Sequence, residues 1–154
     1  MTPQEYLYAV RDLVLPRLTQ EEQEKVRAAT LLWNDMFGGL KTYAWTSFKK
    51  NYIEICALND IPHDKVVVAF DLIHEIAHFI SEDHDDFLWL VITNGGHHQE
   101  WRNNVHRLGL NHDEGRGPWH IACEEWRWDP ALLSAVKALP EPEWEVRDTM
   151  SHVR

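Results

Sequence analysis

Cysteine is scarce in this chain, and acidic residues far outnumber basic ones. The 154 residues include two cysteines, which are too few for a disulfide scaffold or for a four-cysteine zinc ribbon. Lys and Arg together number 15 against 25 Asp and Glu, so the formal net charge is -10. That balance excludes a general nucleic-acid coat and a membrane-surface protein that binds through basic charge.

Long apolar runs are missing as well. The longest, such as residues 66–70, fall far short of the roughly 18 residues that a membrane-spanning helix needs. The first five residues, Met-Thr-Pro-Gln-Glu, lack the basic segment that opens a signal peptide. We therefore expect a cytoplasmic or phage-associated protein with no membrane partner. Its 44% apolar composition is enough for one domain with a real core.

Capping signals predict two helices at the beginning of the chain. Thr2 is followed by a proline and, three residues later, by a glutamate, which is typical of a helix start. Thr19-Gln-Glu-Glu22 is a second capping box, and Pro16 separates the two helices. The second helix is predicted to run to about Met36 and to stop at the glycines that follow.

The hydrophobic period then changes. Residues 42–48 and 52–58 are rich in β-branched and aromatic side chains, which predicts an antiparallel hairpin. Apolar residues at helical spacing over 66–80 predict a helix that starts near Asp60 and Pro62. Two shorter helices are predicted from Gln99 to Leu108 and from Asp129 to about Leu139. The fold class is therefore α+β, with N-terminal helices and a small antiparallel sheet. We expect a single domain over residues 1–139, with a C-terminal tail over 140–154.

One motif carries chemistry: His74-Glu75-Ile76-Ala77-His78, an H-E-x-x-H pattern inside the central predicted helix. At about 100° per residue, the two histidines lie about 40° apart around the helix and can meet one ion. Zn²⁺ suits two neutral imidazoles and keeps a position for water, which it acidifies; Glu75 is placed to act as the general base. Asp71, one turn earlier, is a candidate partner that would support a ligand.

A catalytic zinc ion needs a third protein ligand, and His97 is the leading candidate. It lies nineteen residues past His78, and the glycines at 95 and 96 can turn the chain back toward the metal. His84 stands ten residues after His74, as in the metzincin pattern, but Ser81 occupies the position where that pattern requires glycine. Two carboxylates, Glu100 and Glu124, are further alternatives, although no supporting pattern surrounds them.

With an H-E-x-x-H motif followed by a later histidine, the chain resembles the SprT-like (Spartan-like) zinc metallopeptidases. In that family a strand leads through a loop into the H-E-x-x-H helix, and a third histidine follows, four residues before an aromatic residue. His97 matches this histidine and Trp101 the aromatic residue. The resemblance covers about residues 40–110 and implies a zincin-like minimal metallopeptidase domain with His74, His78 and His97 as zinc ligands. The sequence departs from the family at His98, where glycine is common, so His98 remains a competing ligand.

The resemblance implies a zinc-dependent metallopeptidase that hydrolyses protein or peptide substrates. We expect the hairpin edge at residues 43–47 to bind the substrate backbone as an added strand. Residues 51–115 hold three basic residues against twelve acidic ones. We therefore expect DNA binding to be weak and salt-sensitive, and to depend on Lys41, Lys49 and Lys50. A non-catalytic alternative remains: a zinc-stapled binding or assembly protein, for example a component of a phage particle, in which a fourth protein ligand closes the site.

Overall fold

A computed structural model describes residues 1–34, 44–56, 64–82, 98–112, 121–122 and 124–144. These residues form a mixed α+β structure of five α-helices and one three-stranded sheet. Within them, no helix is both long and apolar enough to cross a membrane. The helices are α1 (Pro3–Val14), α2 (Gln20–Ala28), α3 (Lys65–Ser81), α4 (Gln99–Arg107) and α5 (Pro130–Ala138). The strands are β1 (Thr30–Asn34), β2 (Ala44–Ser47) and β3 (Tyr52–Cys56).

The capping signals of the first two helices are confirmed. The Thr2 hydroxyl accepts the backbone N–H of Glu5 at the start of α1. At the start of α2, the Thr19 hydroxyl accepts the N–H of Glu22, whose carboxylate accepts the N–H of Thr19 in return. A short 3₁₀ turn around Pro16 separates the two helices, because proline has no N–H with which to continue α1.

The predicted length of the second helix is wrong. It ends at Ala28, and the chain continues as β1 instead of as a helix to Met36, which lies outside the described residues. The cause is tertiary. Leu31 is fully buried, while its N–H bonds to the Tyr8 hydroxyl at 3.2 Å and its carbonyl accepts the Gln4 side chain. Side chains of α1 therefore form hydrogen bonds with the backbone groups along one edge of the new strand, and β3 pairs with the other edge.

The sheet is mixed, where an antiparallel one was predicted. The hairpin of β2 and β3 is confirmed, with Ala44 opposite Ile55 and Ser47 opposite Tyr52. The strand that the sequence analysis missed, β1, pairs with β3 in parallel, so the order is β1-β3-β2. Among the described strands, β2 therefore has a partner on one side only.

Helix α3 forms the centre of the core. Its N-cap is Asp64, whose carboxylate accepts the N–H of Val67 at 2.9 Å. The predicted start near residues 60–62 is thus a few residues early, and those two positions lie outside the described residues. Every residue from Val67 to Phe79 is buried, because α1, α4, α5, β2 and β3 all pack against this helix. The helix ends at Glu82, which has a left-handed backbone with φ of 55°.

The last described segments close the other side of α3. Helix α4 is followed by Gly109 with φ of 110°, a conformation that favours glycine. Leu110 then forms an isolated antiparallel bridge with Trp128, just before α5 begins behind its N-cap Asp129. Further on, the Trp144 ring lies 5.3 Å from the ring of Tyr6, so residues 140–144 return to α1.

An ion pair joins the start of α2 to the end of α4. Two nitrogens of Arg107 each lie 2.6 Å from a carboxylate oxygen of Glu22. The bond from Arg107, helped by the Thr19 N–H, lowers the pKa of Glu22 from 4.5 to about 2. Because the folded-state pKa is the lower one, this contribution to stability is present above about pH 5 and is lost as the pH falls.

Replacing Glu22 with Gln should therefore lower the free energy of unfolding by about 1–1.5 kcal/mol at pH 7, a value reduced for solvent screening at this partly exposed pair. The deficit should shrink as the pH falls from about 5 toward 2, because the carboxylate of the unfolded chain, with a pKa near 4.5, takes up a proton there before the folded one does. Urea unfolding at several pH values measures it, with Glu24→Gln on the exposed face of α2 as the control. A deficit that is independent of pH would contradict the charge-based explanation.

Candidate metal centre

The H-E-x-x-H residues lie in the C-terminal half of α3, at the centre of the molecule. His74, Glu75 and His78 are 5%, 5% and 1% exposed. Burying imidazole and carboxyl groups costs free energy unless hydrogen bonds, an opposite charge or a metal ion replace their contacts with water. Their neighbours therefore decide what the site can do.

The two imidazole rings meet one helical turn apart. Nε2 of His74 lies 3.2 Å from Nε2 of His78, and the ring centroids are 4.9 Å apart. Two nitrogen ligands of one tetrahedral zinc ion, each about 2.0–2.1 Å from the metal, are separated by roughly 3.3 Å. The pair therefore has the spacing of two ligands on a single ion, and neutral imidazole nitrogens are donors that suit zinc.

Glu75 lies against the edge strand. The Thr46 hydroxyl of β2 donates a hydrogen bond to Oε2 of Glu75 and lies 3.3 Å from its main-chain carbonyl oxygen. Burial raises the pKa of Glu75 to about 7, although the bond from Thr46 acts in the opposite direction. The result is a carboxyl group that is oriented by β2 and excluded from bulk water, one residue from His74 along the helix.

Trp101 of α4 covers both histidines. Its ring stacks on His78, with centroids 5.3 Å apart and an interplanar angle of 22°, and meets His74 edge-on at 5.0 Å. Its indole N–H points to the main-chain carbonyl of His74 at 3.4 Å. The aromatic residue of the family-like segment thus packs directly against the first two predicted ligands.

Asp71, one turn before Glu75, is buried as well. Desolvation, and then the charge of Glu75, raises its pKa to about 8. Within the described part of the chain, its Oδ1 has no hydrogen-bond partner. This carboxylate was a candidate partner for a histidine ligand, but another residue contacts Nδ1 of His74 in the structure.

That residue is His112, which the sequence analysis did not single out. Its Nε2 lies 3.0 Å from Nδ1 of His74, and its ring is completely buried against Phe70 and Trp101. No motif spacing marks it, because it is 34 residues past His78 and follows α4. Only the packing of this segment against α3 brings the third imidazole into the cluster.

Of the candidates for the third ligand, some lie within the described residues and some do not. His97 and His84 both lie outside the described residues, so His97 stays a prediction. His98 is the N-cap of α4, where its Nδ1 accepts the N–H of Glu100 at 3.1 Å, and Glu100 itself is exposed. Glu124 accepts the indole N–H of Trp126 at 2.7 Å. No group of three or more His, Cys, Asp or Glu side chains in the described segments has the geometry to hold a metal ion.

Comparison of this chain with protein-family models, with curated proteins and with solved structures found no match.

Proposed function

We propose that this chain is a zinc-dependent metallopeptidase of the SprT-like type, built on a zincin-like fold. The observation that carries the proposal is the 3.2 Å separation of the Nε2 atoms of His74 and His78, beside the buried carboxylate of Glu75. In this proposal His74, His78 and His97 hold zinc, and Glu75 is the general base. When bound, zinc would acidify a water molecule and polarise a peptide carbonyl.

The neighbouring residues have defined tasks in this reaction. Glu75 would take a proton from the attacking water and pass it to the leaving nitrogen, while the Thr46 hydroxyl keeps its carboxylate in position. The ring of Trp101 shields His78 from water and holds it in one orientation. Strand β2 has one partner among the described strands, so its other edge would accept an extended peptide as an added strand.

A metal and activity assay tests the proposal directly. The purified chain should bind one zinc ion and cleave an unfolded protein such as reduced, alkylated lactalbumin. A strong chelator should abolish the cleavage, and an equimolar addition of zinc should restore it. A zinc-loaded preparation that leaves both unfolded and DNA-linked proteins intact would contradict the peptidase assignment.

The burial of the motif favours a second candidate, a non-catalytic zinc protein. With none of the three side chains more than 5% exposed, the site could staple the domain together as part of a binding or assembly component. A structural site is closed by four protein ligands, whereas a catalytic site keeps one position for water. X-ray absorption spectroscopy of the zinc-loaded chain separates the two: four protein ligands, with His98 or His84 completing the set, would favour the staple.

A further inference from the structure

We propose that His112 is a positioning residue that sets the tautomer and the ring orientation of His74 for metal binding. This inference rests on the proposed function, because it concerns the same zinc site. The geometry that supports it is the 3.0 Å contact between Nε2 of His112 and Nδ1 of His74, within a buried pair of rings.

The direction of this hydrogen bond follows from the chemistry of a ligand. If Nε2 of His74 offers its lone pair to a metal, the proton of that neutral ring must be on Nδ1. Nδ1–H then donates to Nε2 of His112, whose own proton must be on its Nδ1. Metal-bound histidines usually donate their second N–H to such a partner, which fixes the ring and makes the ligand more basic.

The chain holds His112 in place from both sides. On the backbone, the N–H of Asn111 donates to the carbonyl of Arg127 at 2.7 Å, next to the bridge between Leu110 and Trp128. On the side chain, the ring centroid of Phe70 lies 5.0 Å from that of His112. An acceptor fixed in this way can hold His74 in one rotamer without having to be ordered when metal binds.

The location of this residue gives the segments that follow α4 a role in the site. His112 follows α4, and the segment that anchors it, from Arg127 to Trp128, leads directly into α5. Neither lies in the part of the sequence that resembles the metallopeptidase family over about residues 40–110. A residue outside that part of the sequence would therefore orient one of the metal ligands.

Two substitutions separate hydrogen bonding from packing. His112→Leu keeps an apolar side chain but removes the acceptor, whereas His112→Gln places a carbonyl oxygen near the position of Nε2. Competition with a chromophoric chelator should show zinc affinity weakened by about 10- to 100-fold in the Leu variant. The Gln variant should stay within about threefold of the unchanged chain. His106→Leu, on the exposed face of α4, is the control and should change nothing.

Nitrogen-15 spectroscopy of the unchanged, zinc-loaded chain adds a measurement that packing alone would not affect. The spectrum should show His74 protonated at Nδ1 and His112 unprotonated at Nε2. A proton on Nε2 of His112 would overturn the inference even if the Leu variant failed to fold, and so would equal losses of affinity in the Leu and Gln variants. Full zinc affinity in the Leu variant would overturn it while leaving the peptidase proposal intact. A failure of the unchanged chain to bind zinc would overturn both.

Discussion

Replacing Glu75 with Gln is expected to lower kcat/KM for peptide hydrolysis by about 10²- to 10⁴-fold while zinc content stays at that of the unchanged chain. Gln has nearly the same shape and can still accept the hydrogen bond from Thr46, but it cannot take a proton from water. Burial already disfavours the charged carboxylate, as its raised pKa shows, so Tm should not fall. Metal analysis, kinetics and thermal unfolding of one preparation give all three values.

The matched control is Glu100→Gln, which removes an exposed carboxylate from α4. This variant should keep both zinc and activity. Activity retained in the Glu75 variant would contradict the role of Glu75 as the base. Loss of zinc in the Glu100 variant would instead indicate a carboxylate as the third ligand, an alternative that the sequence alone leaves open.

The second large effect is expected at His97. Replacing it with Ala should release zinc or weaken its binding by orders of magnitude, because two imidazoles from one helix complete only half of a tetrahedral site. His84→Ala should leave the zinc content near normal. His84 is six residues past His78 and could reach the metal only if the chain reversed at once. Ser81, the last residue of α3, is still helical, and its hydroxyl donates to the carbonyl of Ala77 at 2.6 Å.

Metal analysis of the two variants, each prepared with one equivalent of zinc, ranks the two histidines. His98→Ala serves as a third comparison, because it removes a neighbouring imidazole together with the N-cap of α4. If His84→Ala loses zinc and His97→Ala keeps it, the SprT-like assignment fails and a metzincin-like ligand set takes its place.

Local signals predicted all five of the described α-helices, although α2 ends earlier than expected. Thr2 and Thr19 cap α1 and α2 by hydrogen bonds to residues three positions away. A 3₁₀ turn with Pro16 follows α1, and Gly109 follows α4. The apolar period of α3 predicted a buried helix, although its N-cap is Asp64, slightly later than expected. Such features are visible in sequence because each depends on residues fewer than five positions apart.

Local sequence patterns did not predict the strand β1. Its residues follow directly on α2, and because the sequence has no proline or glycine there, the prediction continued the helix. Its extended conformation depends on Gln4 and Tyr8 of α1 on one side and on β3, some 20 residues later, on the other. Those partners are set by how α1 packs on the sheet, which no local pattern encodes.

The sequence by itself determined the relative placement of His74 and His78, because helical geometry alone puts two imidazoles one turn apart on the same face. The tertiary structure decided their surroundings. It brought Thr46 to Glu75 and His112 to His74, across 29 and 38 residues of chain. Contacts at such separations arise when whole elements pack around a common core, so they depend on the arrangement of β2 and α4 against α3 and leave no periodic trace in the sequence.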